Sequence, residues 1–89
     1  MTFGAQSKLA GIFERLTPLL RTVFDNEELV ATPDLSAQRV SGWDSLGNIR
    51  LFLEIEQEFG VRFTSVEITS LQNIGELADL LVVKTERTR

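Results

Sequence analysis

Histidine and cysteine are both absent from the 89 residues of this chain. Without histidine, no side chain has an ordinary pKa near neutrality, and without cysteine there is neither a disulfide nor a thiolate nucleophile. The two absences also remove the usual ligands of a zinc site and the base of a serine–histidine dyad. We therefore expect no enzyme activity, no catalytic residue and no metal site in this chain.

Basic residues and long apolar runs are also scarce. Nine lysine and arginine residues stand against 13 carboxylates, a formal net charge of -4, so we expect no nucleic-acid partner and favour basic proteins instead. No apolar run approaches the roughly 18 residues needed to cross a bilayer. Residues 1–11 lack the basic-then-apolar order of a secretion signal. We expect no membrane span and a cytoplasmic location.

The composition is that of a folded globular domain, with 43% hydrophobic and 25% charged residues. So short a chain buries only about 60% of its unfolded surface and supports one core. Apolar residues recur at spacings of three and four, which is typical of amphipathic helices. We predict one all-α domain over residues 1–89, a small four-helix bundle with three long helices and one short, and a long loop between helices one and two.

The first helix is predicted from about Ser7 to Phe24. Pro18 interrupts its pattern, because proline lacks an N–H donor and its ring meets the carbonyl four residues back. We expect a kink there, or a new start capped by Thr17. Residues 25–42 lose the helical period and are rich in turn residues, which predicts a long ordered loop. Four apolar side chains indicate that this loop packs on the bundle: Leu29, Val30, Leu35 and Val40.

The later helices have marked ends. The second is predicted to begin at its N-cap Asp44 and to stop before Gly60. A T-x-x-E capping box at residues 64–67 opens a short third helix, and an N-x-x-E pattern at residues 73–76 opens the last one. We predict that the last helix runs to about Lys84 and that the remaining five residues are unstructured.

The second helix carries two apolar stripes. Turning each residue by about 100° divides its apolar residues between nearly opposite sides. A bundle helix needs only one such stripe, so the other requires a separate explanation. The stripe that is broad enough to face a core consists of Leu51, Phe52, Ile55 and Phe59.

The outer stripe, formed by Leu46, Ile49 and Leu53, begins one residue after Ser45 and has a charged rim. An apolar strip with a polar rim is typical of a docking surface. The alternative is that the helix lies centrally in the bundle and packs on both sides. We predict that five residues bind partner proteins: Leu46, Ile49, Arg50, Leu53 and Glu56.

Ser45 is predicted to be the first residue inside the second helix, directly after its cap Asp44. Backbone N–H groups point outward there and the helix dipole is positive, so the position favours an attached phosphate group. The alternative is a serine that only helps to cap the helix, since serine and aspartate are common caps. Position alone leaves both interpretations open.

The segment around Ser45 is similar to the signature of acyl carrier proteins, in which a D-S-L serine opens the second helix. The matching residues are G-W-D-S-L at 42–46, Ile49, Leu51, I-E at 55–56 and F-G-V at 59–61, with Phe63 beyond. The long loop, the short third helix and the position of the last helix extend the resemblance over most of the chain. The segment is unlike the L-G-G-x-S-L of typical peptidyl carriers.

The resemblance implies that Ser45, with Asp44 beside it, forms the attachment site of a covalent 4'-phosphopantetheine group. A phosphopantetheinyl transferase would transfer this group from coenzyme A. The thiol of the attached phosphopantetheine would carry an acyl chain as a thioester. Further implied partners are acyl-loading and acyl-processing enzymes of a fatty-acid, polyketide or other specialised lipid pathway, and we expect a monomer. The alternatives left open are an aminoacyl or peptidyl carrier and a helical adaptor that is never modified.

Two residues, Gly47 and Arg50, stand where the resemblance implies acidic side chains on the partner face. A cation at Arg50 is expected to disfavour strongly basic partners and to indicate a specialised carrier. The alternative is that Arg50 merely pairs with Glu54, four residues later. The resemblance also implies that some carriers shelter the acyl chain between the second and later helices, where these residues would lie: Leu51, Ile55, Ile68, Leu71, Ile74 and Leu77.

Overall fold

The computed structural model describes the backbone of residues 3–87 and the side chains of residues 8–86. The described part contains no strand, and none of its helices is long and apolar enough to cross a membrane. The predicted all-α bundle of three long helices and one short is confirmed. Its α-helices are α1 (Phe3–Val23), α2 (Ser45–Phe59), α3 (Ser65–Ser70) and α4 (Ile74–Arg87), and a 3₁₀ turn at Ala37–Arg39 lies between α1 and α2.

Helix α1 begins four residues earlier than predicted and continues through Pro18. The expectation of a new start capped by Thr17 is therefore wrong. Leu16 and Leu20, on either side of the proline, are fully buried. Because Pro18 itself is exposed, water can satisfy the carbonyl that the missing N–H leaves free, while the buried neighbours hold both halves in one helix.

Thr17 instead connects α1 to the long loop. Its hydroxyl donates to the Phe13 carbonyl at 3.1 Å and accepts the Ala31 N–H at 3.0 Å. The Arg21 side chain adds a second connection, donating to the Leu29 carbonyl at 2.7 Å. The loop between α1 and α2 is thus an ordered part of the bundle, as its apolar residues indicated.

The same loop also binds the start of α4. Ile74 N–H donates to the Leu35 carbonyl and Gly75 N–H to the Pro33 carbonyl, each at 2.9 Å. Among the loop residues expected to pack, Val30 is the exception, since 52% of its surface is exposed. The remaining three, Leu29, Leu35 and Val40, are half-buried or buried.

Helix α2 begins and ends as predicted. The Asp44 carboxylate accepts the Gly47 N–H at 2.9 Å, which satisfies one of the free donors of the first turn. Gly60 ends the helix in the left-handed region, with φ of 68°. Local chemistry therefore defines the ends of the helix that bears Ser45.

The two later helices are capped by side chains. The capping box of Thr64 and Glu67 is present in both directions, at 2.9 and 3.1 Å. Asn73 accepts the Glu76 N–H at 2.9 Å, while the Glu76 carboxylate reaches back to the Gln72 N–H. Both predicted helix starts are confirmed.

The end of α4 differs from the prediction. The helix continues to Arg87, so the expected unstructured tail is wrong for residues 85–87; residues 88–89 lie outside the described part. The Thr85 hydroxyl donates to the Leu81 carbonyl at 2.7 Å. An ion pair of 3.7 Å between Lys8 and Glu86 joins this last turn to α1. The periodicity of residues 85–87 alone does not predict this helical turn, because the turn is held in part by a contact with α1.

The hydrophobic core lies where α1 packs on α2 and on α4. Each large aliphatic side chain that is fully buried there stabilises the fold by about 1.5 to 3 kcal/mol. Since α2 contributes to this core along one side, its opposite side faces outward. The largest fully buried side chains are Leu16, Leu20, Leu51, Ile55, Ile74, Leu77 and Leu81.

Candidate functional site

Ser45 is exposed and is the first residue of α2. Of the N–H groups in this first turn, Asp44 accepts two: Gly47 N–H through its carboxylate and Asn48 N–H through its carbonyl, at 2.9 and 2.8 Å. The N–H groups of Ser45 and Leu46 have no acceptor within the described part of the chain. An exposed hydroxyl thus lies beside free donors at the positive end of the helix dipole, which suits a phosphodiester.

Trp43 makes two side-chain contacts in the segment that precedes Ser45. Its indole N–H donates to the Asn48 side-chain oxygen at 2.9 Å. Its ring stacks on Phe24 with centroids 5.2 Å apart and an interplanar angle of 28°. These two contacts tie the residues on both sides of the serine to each other and to Phe24, at the end of α1.

Gly47 is buried where α2 meets the loop. A Cβ atom at this position would collide with the Gly42 carbonyl oxygen and would lie 3.0 Å from a Phe24 ring carbon. The close approach of loop and helix therefore requires glycine. The interpretation of Gly47 as a missing acid on the partner face is wrong, because this position faces the loop and not solvent.

A cavity of about 370 Å³ opens beside Ser45. Its wall combines aliphatic and aromatic side chains with amides and hydroxyls, the mixture that commonly lines ligand pockets. A flexible chain attached to the Ser45 hydroxyl could enter it. The lining residues are Ala37, Trp43, Asp44, Ser45, Asn48, Phe52, Ile68, Thr69, Leu71, Gln72, Asn73, Ile74 and Leu77.

The cavity matches the expected sheltered space only in part. Leu51 and Ile55 do not line it, because both side chains are fully buried in the core. Both residues lie on the side of α2 that packs into the bundle, and the sheltering of an acyl chain beside them stays a prediction. The four residues expected from the later helices do line the cavity: Ile68, Leu71, Ile74 and Leu77.

Sequence reasoning missed the polar part of the lining. Asn48 follows Ser45 by three residues, so helical spacing alone could have placed both side chains on one face. The other polar residues carry no such signal, since they approach Ser45 only through the packing of α3 and the following turn against α2. These residues are Thr69, Gln72 and Asn73.

The outer stripe of α2 is exposed. Leu46 shows 66% of its surface to solvent, and Ile49 and Leu53 show 53% each. These exposures exclude the alternative in which α2 packs on both sides. Partner binding by the outer stripe stays a prediction, but the stripe lies on the solvent side of α2, with Ser45 at the first turn.

Two carboxylates of α2 are engaged within the chain. Glu56 accepts the Phe63 N–H at 2.9 Å and so helps to hold the turn after α2. Glu58 forms a 3.3 Å ion pair with Arg15 of α1. Glu56, predicted to bind partners, therefore has a contact within the chain as well.

Comparison with known proteins agrees with this geometry. Residues 8–81 match the protein family described as Phosphopantetheine attachment site. The chain is 30% identical over 76 residues to Polyketide-8 synthase acyl carrier protein 2 of Streptomyces avermitilis, a match covering 85% of this chain and 87% of that protein. The solution structure of a holo acyl carrier protein from Geobacter metallireducens has a TM-score of 0.80 and 37% identity, covering 85% of this chain and 87% of that one.

The described residues fit the group after which this family is named. Ser45 offers a free hydroxyl, the first turn of α2 offers unpaired N–H donors, and the adjacent cavity has room for a flexible arm. The match covers nearly all of the bundle, from α1 into α4. The chain therefore belongs to the acyl carrier proteins, which carry acyl groups on a covalently bound 4'-phosphopantetheine.

Proposed function

We propose that Ser45 is the residue to which the phosphopantetheine is attached. The observation that carries this proposal is the position of its exposed hydroxyl, at the first turn of α2 and at the wall of the cavity. Ser65 offers a comparison, since it is exposed and opens α3. Ser65 does not line the cavity, and the capping box of Thr64 and Glu67 occupies its turn.

The chain itself contributes placement and recognition, and we propose that it catalyses no reaction. Asp44 caps the helix and leaves the hydroxyl of Ser45 free, while Trp43 and Asn48 hold the surrounding turn. When bound, the phosphopantetheine supplies the thiol on which an acyl group is held as a thioester. This division of roles agrees with a sequence that has neither histidine nor cysteine.

The pathway and the immediate partners belong to the same proposal. The likeness to a carrier of a polyketide synthase supports polyketide or related specialised lipid synthesis over an aminoacyl or peptidyl carrier. The partners would be a phosphopantetheinyl transferase and enzymes that load or process the acyl group. A single domain over residues 1–89, a monomeric state and a cytoplasmic location stay predictions.

The test is the intact mass of the purified chain after incubation with coenzyme A and a broad-specificity phosphopantetheinyl transferase. We expect one phosphopantetheine on the unaltered chain and on Ser65→Ala, and none on Ser45→Ala. Circular dichroism should show the same helical content for all three, because both serines are exposed. Modification of Ser45→Ala would show that the attachment site lies elsewhere. An unaltered chain that several transferases leave unmodified would favour the adaptor alternative.

A further inference from the structure

Arg50 lacks an ion-pair partner among the described side chains. Most cations of residues 8–86 are engaged: Arg15 with Glu58 and Lys84 with Glu67, for example, form ion pairs of 3.3 and 3.0 Å. Arg50 is exposed on α2 and forms no ion pair with a described residue. Its charge is therefore available to another molecule.

Glu54 does not neutralise this cation. It follows Arg50 by four residues, but no ion pair joins the two. An ion pair between residues four apart on a helix is weaker when the cation precedes the acid, as Arg50 precedes Glu54. At about 100° per residue, Arg50 also lies nearer to Leu46 around the helix than Glu54 does. The alternative in which Arg50 merely pairs along the helix is thus not what the structure contains.

Arg50 lies directly beside the outer stripe on the surface of α2. Leu46 precedes it by four residues and Leu53 follows by three, so both are its direct neighbours on the helix surface. Both leucines are more than half exposed. A protein that covered them would also remove water from the guanidinium, and a buried charge without a partner is strongly destabilising. The covering surface must therefore supply an acceptor.

We infer that the outer stripe docks on a partner enzyme whose surface is apolar opposite Leu46, Ile49 and Leu53 and presents a carboxylate opposite Arg50. This inference rests on the proposed carrier function and names the chemistry of its partners. It departs from the expectation of basic partners that net charge alone suggests, because Arg50 borders the outer stripe directly, whereas Glu54 lies further around the helix and Glu58 is paired with Arg15 of α1. A lone cation is too little for a lipid surface, which recruits clusters of lysine and arginine.

The test uses the apo chain and two purified acyl-transfer enzymes that act on carrier proteins. One has a carboxylate within an apolar docking surface, and the other has a basic docking surface. Binding is measured by titration of the ¹⁵N-labelled chain at several salt concentrations. We expect the unaltered chain to bind the first enzyme more tightly, with amide shifts concentrated at residues 46–53. Arg50→Glu should weaken that binding about tenfold at low salt and strengthen binding to the second enzyme.

Arg62→Glu is the matched control. Arg62 is exposed, has no described ion pair and lies beyond the far end of α2, so the substitution changes net charge equally without altering the outer stripe. It should leave both affinities within about twofold of the unaltered chain. An equal response to both substitutions would show a general charge effect and would overturn the inference.

Other outcomes would also overturn it. These are unchanged affinity of Arg50→Glu for both enzymes, absence of binding to either enzyme, and self-association in sedimentation that Ile49→Glu abolishes, which would assign the stripe to a second copy. The apo chain needs no phosphopantetheine to bind. A failure of Ser45 to be modified would therefore contradict the proposed function without changing these affinities.

Discussion

Leu51 and Leu53 stand two residues apart on α2, yet their surroundings are opposite. Leu51 is fully buried, whereas 53% of Leu53 is exposed. The whole helix divides in this way, with one side in the core and the outer stripe in solvent. The comparison teaches that residue type does not reveal the role of an apolar side chain here; its angular position on the helix does. Substitutions on the two sides should accordingly affect different measurements.

The largest difference is expected between Leu51→Ala and Leu53→Ala. Leu51→Ala should lower the free energy of unfolding by about 2 to 5 kcal/mol, because it removes buried methyl groups and leaves a cavity. Leu53→Ala removes the same atoms from a half-exposed site and should cost less than about 1 kcal/mol. Urea unfolding followed by circular dichroism measures both. Equal losses would mean that the outer stripe is part of the core.

The next effect concerns the edge of α2 that meets the loop. Gly47→Ala should destabilise the fold by about 1 to 3 kcal/mol, since its Cβ has no room beside the Gly42 carbonyl. Gly11→Ala is the control: nothing lies within 4 Å of the position a Cβ would take in α1. It should be neutral or stabilising by up to about 1 kcal/mol, as alanine is the better helix former. Both variants are compared by their midpoint temperatures of thermal unfolding. A Gly47→Ala midpoint that is not lower than that of Gly11→Ala would contradict the close approach at Gly47.

A smaller effect is expected at the C-terminal end of α2, where Arg15 attaches it to α1. The guanidinium donates to the Glu58 carbonyl at 2.7 Å and lies 4.1 Å from the centre of the Phe59 ring. Arg15→Lys keeps the charge but loses the planar geometry of both contacts, and should cost about 1 kcal/mol. Arg50→Lys, on the outer side, should change the unfolding free energy by less than about 0.5 kcal/mol. Urea unfolding followed by circular dichroism compares the unfolding free energies of Arg15→Lys and Arg50→Lys.

The smallest effect depends on pH and lies away from α2. The Thr64 N–H and then Lys84 lower the pKa of Glu67 by hydrogen bonding to its carboxylate. A carboxyl whose pKa is lower in the folded state adds stability above its unfolded pKa, and loses it as pH falls through the folded pKa. Glu67→Gln should therefore cost up to about 1 kcal/mol at pH 7, and progressively less as the pH falls from the ordinary pKa of a glutamate through the lowered pKa of Glu67. Unfolding midpoints at pH 7 and pH 3 test this; a constant difference would exclude the carboxylate as the cause.

Several features of the site could be predicted because they depend on neighbouring residues. The Asp44 cap, the Gly60 stop and the capping box of Thr64 and Glu67 all act within about one helical turn. The two-sided character of α2 followed from its period in the same way. The position of Ser45 at the first turn of α2 is a consequence of these local rules.

Other features depend on residues that are distant in the sequence. Glu56 looked like a free rim charge until the structure showed its bond to Phe63, and Gly47 looked like a lost acid until the loop was seen against it. The polar lining residues Thr69, Gln72 and Asn73 could not be predicted from the sequence. The periodicity of a helix shows which of its faces is apolar, but it does not show which other helix that face packs against.

By itself, the sequence determined the helices that have strong caps and periods, and with its D-S-L serine it determined the family resemblance. Only the tertiary structure decided that α1 continues through Pro18, since buried Leu16 and Leu20 outweigh a local break. It also decided which charges are engaged and which remain available, as at Arg50. The physical reason is range: caps and turns are governed by hydrogen bonds a few residues apart, whereas burial and ion pairing depend on which segments the folded chain brings together.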